Sequence, residues 1–446
     1  MRRTLYEHNC GLVTEDRLLK SATAKRACFP VIEVKAGKEE EGLTDATRPQ
    51  GHWSTRLLQL CQQRLQFPAP YGHQCLLEDA GILQAAAQKS LPPAIAWHPE
   101  CQALAASDGS HQVLVYTLEA EAGSSSADAS PEPCMTLAHP HQQHVAALAW
   151  RPQNQNALAV GCWQGICLWN LPLASAAIRQ QSGPGAAMAL LQSEGMHVTF
   201  LAWAPHGRVL AAASSHAPGI MIWDISSGTC QRLQADLSAT ALLSWSPSGA
   251  YLFSASVASG SFRLWSTDRW ESKSFSTPTA ICNRPDASSG DGRPPLRNGA
   301  TGACWHKDSR MILLAFTFSN SLVALHLVEN APSLECQLLS VPLSGVSDQE
   351  GVRSMAWDPR SARLAVCLSS SGNEASEHQQ LLLYATDCQP LVSARLLGTI
   401  YGPPSAGTAA LSKALHFQPS FKHGSLLALR SCCERIMVVP LLYPQP

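Results

Sequence analysis

The chain lacks the patterns that usually carry chemistry. None of its 16 cysteines falls in a Cys-x-x-Cys pair, which leaves no zinc ribbon and no thioredoxin-like redox motif. Neither a Gly-Lys-Ser/Thr phosphate loop nor a His-Glu-x-x-His metal motif occurs,. Gly402-Pro-Pro-Ser405-Ala-Gly407 has the outline of a nucleophile elbow, but no strand-turn-helix frame surrounds it to expose the serine, and a loop is expected there. Charge is also scarce: 15% of residues are charged, the net charge is -1, and Arg2-Arg3 and Lys25-Arg26 are the longest basic runs. Such a chain offers no electrostatic footprint for nucleic acid or anionic membrane. Long apolar runs are missing as well. Met311 to Val328 comes nearest, yet Thr317, Ser319, Asn320, Ser321 and His326 interrupt it, and two strands turning at Asn320 suit it better than a helix in lipid. Met1 to His8 has no apolar core segment of a signal peptide. The expectation is a soluble, intracellular protein without a membrane span, its cysteines reduced and used as small core residues.

What is present is apolar and repetitive. Hydrophobic residues make up 45% of the chain, enough for a large core. From His197 to Leu233 the sequence reads as four short strands. Phe200-Leu-Ala-Trp203 is followed by Ala-Pro205-His-Gly207, Val209 to Ala213 by Ser and Pro punctuation, and Ile220-Met-Ile-Trp223-Asp224 by a turn at Gly228. Alternating short strands and turn residues describe an antiparallel meander. Four strands in about 40 residues closing on Trp-Asp is the pattern of a WD-type propeller blade.

Its aromatic-x-Pro signal recurs at Trp97, Trp150, Trp203, Trp245 and Trp357. Trp305 opens a copy without the proline, where Lys307 stands, and Phe417 opens one with Phe for Trp. The seven are spaced by 53, 53, 42, 60, 52 and 60 residues. A small-residue strand follows each, beginning at Leu104, Leu158, Leu210, Leu252, Leu313, Leu364 and Leu426. A third strand then ends in an aromatic at Tyr116, Trp169, Trp223, Trp265 and Tyr384, with His326 and Val439 in that place in the fifth and seventh copies. One such unit cannot bury both faces alone, so it needs neighbours on either side. The sequence therefore predicts an all-β protein, a seven-bladed WD40-type β-propeller over 94–443 with a short, partly helical N-terminal extension. Trp97, Trp150, Trp203, Trp245, Trp305, Trp357, Phe417, Trp169, Trp223, Asp224 and Trp265 are its structural blade positions, and packing is their expected role.

Residues 51–93 show helical spacing, with Leu57, Leu58, Cys61 and Leu65 on one side and a second candidate from Cys75 to Lys89. The seventh copy has sequence for three strands only. An open edge would expose a row of unpaired backbone groups, so a strand from residues 1–50 is expected to close it. Phe29 to Val34 is the first choice and Leu5-Tyr6-Glu7 the second. Insertions at Ala120 to Pro133, Pro172 to Gly195, Pro278 to Gly299, Ser369 to Gln379 and Gly402 to Leu411 read as surface loops. His139, His141 and His144 cluster before a first strand, where WD blades carry a structural histidine, so a metal site is not expected. Asp108-Gly109 reads as a turn. No catalytic, cofactor-binding or metal-binding residues are expected, and no cofactor.

Beyond the generic repeat, particular stretches resemble the aladin family of WD-repeat nucleoporins. They are Thr4-Leu-Tyr-Glu-His-Asn9, the blade from Val198 to Cys230, Phe262-Arg-Leu-Trp265 with Trp270, Ser354-Met-Ala-Trp-Asp-Pro359, and Pro419-Ser-Phe-Lys-x-Gly-Ser-Leu-Leu427 closing on Pro440-Leu-Leu-Tyr443. The resemblance implies a non-catalytic scaffold of the nuclear pore complex at the nuclear envelope. Its implied partners are a transmembrane nucleoporin and other pore proteins, and its implied role is support of nucleocytoplasmic transport. The absence of any Phe-Gly dipeptide excludes a permeability-barrier nucleoporin. The alternative is a WD-repeat adaptor outside the pore, in the cytoplasm or on the mitotic spindle, serving as a ubiquitin-ligase substrate receptor or spindle scaffold.

Overall fold

The computed structural model describes residues 5–8, 11–14 and 32–33, and from 94 to 442 all but 109–110, 118–132, 154–156, 172–186, 193–195, 234–238, 257–260, 277–298, 317–318, 347–350, 370–379, 390, 402–414, 420–423 and 431–434. Among the described residues every regular element is a strand. Six four-stranded antiparallel sheets follow one another along the chain, and a seventh sheet combines C-terminal with N-terminal strands. The sequence-regular stretch is the third blade: Phe200–Trp203, Val209–Ala213, Ile220–Asp224 and Thr229–Leu233. The chain is a seven-bladed β-propeller.

Register explains the recurring aromatics. In blade three Trp203 lies opposite Leu210, and Leu210 opposite Trp223. The same ladder of first-strand aromatic, aliphatic and third-strand aromatic occurs as Trp97–Leu104–Tyr116, Trp150–Leu158–Trp169, Trp245–Leu252–Trp265 and Trp357–Leu364–Tyr384. Facing residues on adjacent strands stack side by side, so each blade carries a rib of bulky side chains at one level.

Two blades depart from the register expected from sequence. In blade five the rib runs Trp305–Ile312–Leu325, and His326 pairs instead with Met311. A one-residue slip moves a side chain to the other face of a strand, which leaves His326 exposed and Leu325 buried. In blade seven the partner of Phe417 is Leu427 rather than Leu426, with Val439 next in line.

Burial occurs between blades. Seven apolar clusters each join residues of two adjacent blades, and the last of them packs Trp97, Leu104 and Tyr116 of blade one against Leu426, Ala428, Ile436 and Val438 of blade seven. The ring is thereby closed by hydrophobic burial, its main favourable contribution.

Backbone pairing at blade seven uses both N-terminal candidates. Ile32–Glu33 pairs antiparallel with one end of Arg435–Leu442, Ile32 opposite Ile436. Leu5–His8 pairs parallel with its other end, Leu5 opposite Leu441, and turns back through Gly11–Thr14. The outer edge is covered at its two ends by separate segments.

One insertion hides a strand. Within Pro172 to Gly195, expected to be loop, Ala187–Gln192 is the fourth strand of blade two and pairs along Gly165–Asn170. Its Met188 and Leu190 pack toward blade one and Leu191 toward blade three, an alternation that the flanking Ala and Gly obscure in the sequence. The helical element expected over 51–93 and the serine at 405 lie outside the described residues. Contacts divide the chain into residues 1–35 with 92–446 and a separate unit over 36–91.

Candidate interaction surface

Because each blade is an antiparallel meander, its turns alternate between two faces of the ring. The first-to-second and third-to-fourth strand turns share one face. The second-to-third turns share the other with the links between blades, and this second one is called the link face below.

Under the first face lie the residues the sequence singles out. Trp150 Nε1 donates to the Ala96 carbonyl at 3.1 Å, Trp203 Nε1 to Ala149 at 3.1 Å, and Trp245 Nε1 to Ala202 at 2.9 Å. In each case the acceptor is the residue before the preceding blade's own tryptophan. Trp305 reaches Ser244 at 3.4 Å, and Trp97 reaches His416 of blade seven at 3.1 Å, which continues the series across the closure. Two steps differ. Trp357 Nε1 donates within its own blade to Thr386 Oγ1 at 3.0 Å, and Phe417 has no N–H to give. At the fifth-to-sixth step the link comes instead from Thr301 Oγ1 on the Val352 carbonyl at 2.6 Å and from the Lys307 N–H on Ser361 Oγ at 2.9 Å.

The turn after each aromatic brings backbones together. Gly207 and Gly249 have φ of +67° and +76°, and Ser309 and Ser361 take the same left-handed position at 64° and 57°. The turn at Lys307 therefore forms without the proline. Asp224 caps the third-to-fourth turn, accepting from Ser226 N at 2.9 Å and Ser226 Oγ at 2.5 Å, and pairs with Arg208 at 2.8 Å. Those serine contacts, then the guanidinium, hold its carboxyl well below the usual carboxylate range. These contacts complete a turn.

Third-strand aromatics differ in what they bond. Trp265 Nε1 donates to Ser254 Oγ at 3.0 Å, and Trp169 Nε1 to Gln142 Oε1 at 2.7 Å. Gln142 is fully buried and donates in turn to the carbonyls of His111 and Leu137. Trp223 Nε1 is buried with no partner among the described residues.

The link face over blades one to three carries a row of rings. His111 meets His144 at 5.3 Å between centroids, His144 meets Trp163 at 6.0 Å, Trp163 meets His197 at 5.3 Å, and His197 stacks on His216 at 5.9 Å with 10° between planes. Trp163 tips the hairpin from Ala157–Cys162 to Gly165–Asn170 and is 44% exposed. His197 Nε2 lies 3.1 Å from the His144 carbonyl, and the His144 N–H reaches His111 Nδ1 at 3.2 Å. Burial lowers the proton affinity of His144, with His111 adding to it, and that of His216. Burial likewise draws His197 down to about 4, its bond to the His144 carbonyl opposing the shift in part and the neighbouring imidazoles adding to it. A cation buried in low dielectric is costly, so His197, the buried member of the row, is neutral at neutral pH.

Of the three histidines that cluster in sequence, His144 joins this row, while His139 and His141 lie beside it, 5.3 Å apart, with His141 Nδ1 2.6 Å from Gln164 Oε1. Among the described residues no group of three His, Cys, Asp or Glu side chains is placed to hold a metal. Asp108 closes its turn, its Oδ1 accepting from Gln112 N at 3.0 Å. Sequence reading alone does not find His111, Trp163, His197 and His216 as a group. The one signal for it is that His144 and His197 each stand six positions before their blade's tryptophan, Trp150 and Trp203.

A ring of this size with these ribs has a known relative. The aladin protein of Arabidopsis thaliana is 33% identical over 367 residues, which span 78% of this chain and 75% of that protein. The chain belongs to the aladin family. Solved propellers share the fold at lower identity. The Cps50 (Swd1) β-propeller domain of Myceliophteria thermophila superposes with a TM-score of 0.54 at 14% identity, over 77% of this chain and 95% of that one. A chain of the mitotic checkpoint complex gives 0.51, also at 14%, over 79% and 90%. No protein-family model matches. Within this aladin-family ring the indole-to-carbonyl series is interrupted at blades six and seven, and there the N-terminal segments attach.

Proposed function

We propose that this chain is a non-catalytic scaffold of the nuclear pore complex, held at the nuclear envelope through a transmembrane nucleoporin and supporting nucleocytoplasmic transport. Membership of the aladin family carries this reading, because the likeness runs through most of the ring rather than through one motif. The geometry agrees with it. The functional-looking side chains on the first face are occupied in turns and blade-to-blade bonds, as a rigid frame requires. Among the described residues no helix is long and apolar enough to cross a membrane.

Tagging the chain at its chromosomal locus and imaging it in living cells tests the location. A punctate nuclear rim is expected, and a diffuse cytosolic signal would reject the proposal. Affinity purification from solubilised envelopes then tests the anchor. A transmembrane nucleoporin should be recovered in stoichiometric amount, and ubiquitin-ligase subunits recovered without pore proteins would place the scaffold elsewhere.

A further inference from the structure

Two of the described cysteines face each other inside blade two. Cys162 ends the second strand, Ala157–Cys162, and Cys167 lies in the third, Gly165–Asn170. Cys162 stands opposite Gly165 and Cys167 opposite Val160, so the two are diagonal neighbours on one face of the hairpin. Both are fully buried in the apolar cluster shared with blade one. Their sulfurs are 3.8 Å apart. A disulfide spans about 2.05 Å, which leaves about 1.7 Å for side-chain rotation to close.

Cys162 is one residue from solvent, because Trp163 and Gln164 form an exposed hairpin tip. What covers it is the link between blades one and two. Its Sγ lies 3.4 Å from the His141 carbonyl oxygen and 3.3 Å from that of Gly165. The Trp163 N–H donates to the Gln143 carbonyl at 2.8 Å, and the Cys162 carbonyl accepts from the Val198 N–H at 3.1 Å. In this closed arrangement the thiol keeps its proton, which it donates to a carbonyl. Opening a hairpin tip costs far less than unfolding a core strand. The thiol so exposed ionises to the extent of a few per cent at neutral pH, and the thiolate is a strong nucleophile. Cys167 stands two residues further from the tip, placed to act second.

We propose that Cys162 is a site of reversible oxidation by hydroperoxides, with Cys167 as the resolving thiol, and that the resulting disulfide locks the Trp163 hairpin. The Cys162 thiolate attacks a peroxide oxygen. The O–O bond breaks, Cys162 becomes a sulfenic acid, and the departing oxygen takes up a proton and leaves as water or an alcohol. The Cys167 sulfur then attacks the Cys162 sulfur. An S–S bond forms, the S–O bond breaks, and the hydroxyl leaves with the Cys167 proton as water. Two thiols lose two electrons and one hydroperoxide gains them. The facing sulfurs make the second step intramolecular, so it outruns further oxidation to the sulfinic acid. Exchange with a thiol reductant restores the dithiol. Tied across the diagonal, the tip opens less, and so do its bonds to the links on either side, Trp163 to Gln143 and Val198 to Cys162. The inference does not depend on the nuclear-pore reading.

Peptide mapping of the full-length protein tests it. The reduced protein is treated with hydrogen peroxide, its remaining thiols are alkylated, and it is denatured and digested with chymotrypsin. Cleavage after Trp163 separates the two cysteines, so their peptides stay joined only through a disulfide. A joined pair is expected, released by dithiothreitol. It should form at least about tenfold faster than Cys367, a buried cysteine of Arg363–Ser369 in blade six, is modified, since susceptibility follows access and thiolate character. In Cys167→Ala the joined pair should be lost and a sulfenic-acid reagent such as dimedone should label Cys162; the digest of the unaltered protein decides even where that variant does not fold. Hydrogen exchange of the amides at 163–165 should be at least about tenfold slower in the oxidised protein, because exchange there needs the tip to open. Both cysteines still alkylated after peroxide, Cys162 carried to the sulfinic acid with no joined pair, or unchanged exchange at the tip would overturn the proposal.

Discussion

Replacing Trp203 and Trp223 by phenylalanine, one at a time, isolates the worth of a blade-to-blade hydrogen bond. The two residues share a blade and a rib and are nearly equally buried, at 7% and 8% exposure. They differ in the indole N–H: that of Trp203 donates to the Ala149 carbonyl of blade two at 3.1 Å, and that of Trp223 has no partner among the described residues. Both substitutions shrink a buried ring, at a cost of about 1 kcal/mol each. Trp203→Phe also removes a neutral hydrogen bond, a net loss of about 1 kcal/mol. Phenylalanine still offers a ring to the Arg151 guanidinium, which lies 5.4 Å from the Trp203 centroid, so the cation–π contact changes little. Trp223→Phe instead removes a buried donor that is costly to leave unmade, by about 1–3 kcal/mol, and this offsets the packing loss. Trp203→Phe should therefore destabilise by about 2 kcal/mol and Trp223→Phe by roughly zero, or stabilise slightly. With an unfolding entropy of about 2.1 cal/mol/K per residue over roughly 350 residues of ring, the gap corresponds to about 3 °C in Tm. Scanning calorimetry at one fixed scan rate measures it, the fixed rate being needed because large proteins often unfold irreversibly. Equal losses in the two variants, or a costless Trp203→Phe, would refute the reasoning.

Three further outcomes are expected. Gly207→Ala should destabilise by roughly 2 kcal/mol or more, because its left-handed backbone disfavours a Cβ and the new atom would overlap the Pro152 carbonyl oxygen of the neighbouring blade, so the turn must shift. Gly228→Ala, with φ +68° and open space around it, should lose only about 1 kcal/mol, and urea midpoints compare the two. His197 is neutral in the native state with its pKa drawn down to about 4, against about 6.5 in an unfolded chain. Its contribution is complete above about pH 6.5 and is lost as pH falls toward about 4, by about 3 kcal/mol in all, because the unfolded state takes up the proton first. His197→Gln should reduce that slope in a pH series of urea midpoints, and an unaltered slope would remove His197 from the account. Deleting residues 1–40 strips Leu5–His8 and Ile32–Glu33 from blade seven and should lower the melting temperature; an unchanged curve would discard the closure.

By itself the sequence determined the architecture. The aromatic-x-Pro turn, the small-residue strand and the third-strand aromatic are all local patterns, readable within about 40 residues because strand alternation and turn chemistry act over short range. Their sevenfold recurrence established the number of blades. It was less reliable where a match depends on register: Leu325 rather than His326 completes the fifth rib, since a one-residue slip leaves composition unchanged while reversing the face. The Ala187–Gln192 strand escaped for a related reason, being short, uncharged and set among small residues. Only the tertiary structure decided what depends on ring closure. Parallel pairing of Leu5 with Leu441 joins opposite ends of the chain, and no local signal encodes it. The indole-to-carbonyl series crosses from blade to blade, so the turning of the Trp357 indole onto its own blade could be seen only with the neighbours in place. The row from His111 through Trp163 to His216 draws on links and hairpins of three blades. Those side chains become neighbours because adjacent blades pack through shared apolar cores, which bring together loops well separated in sequence, as His111 and His144 are.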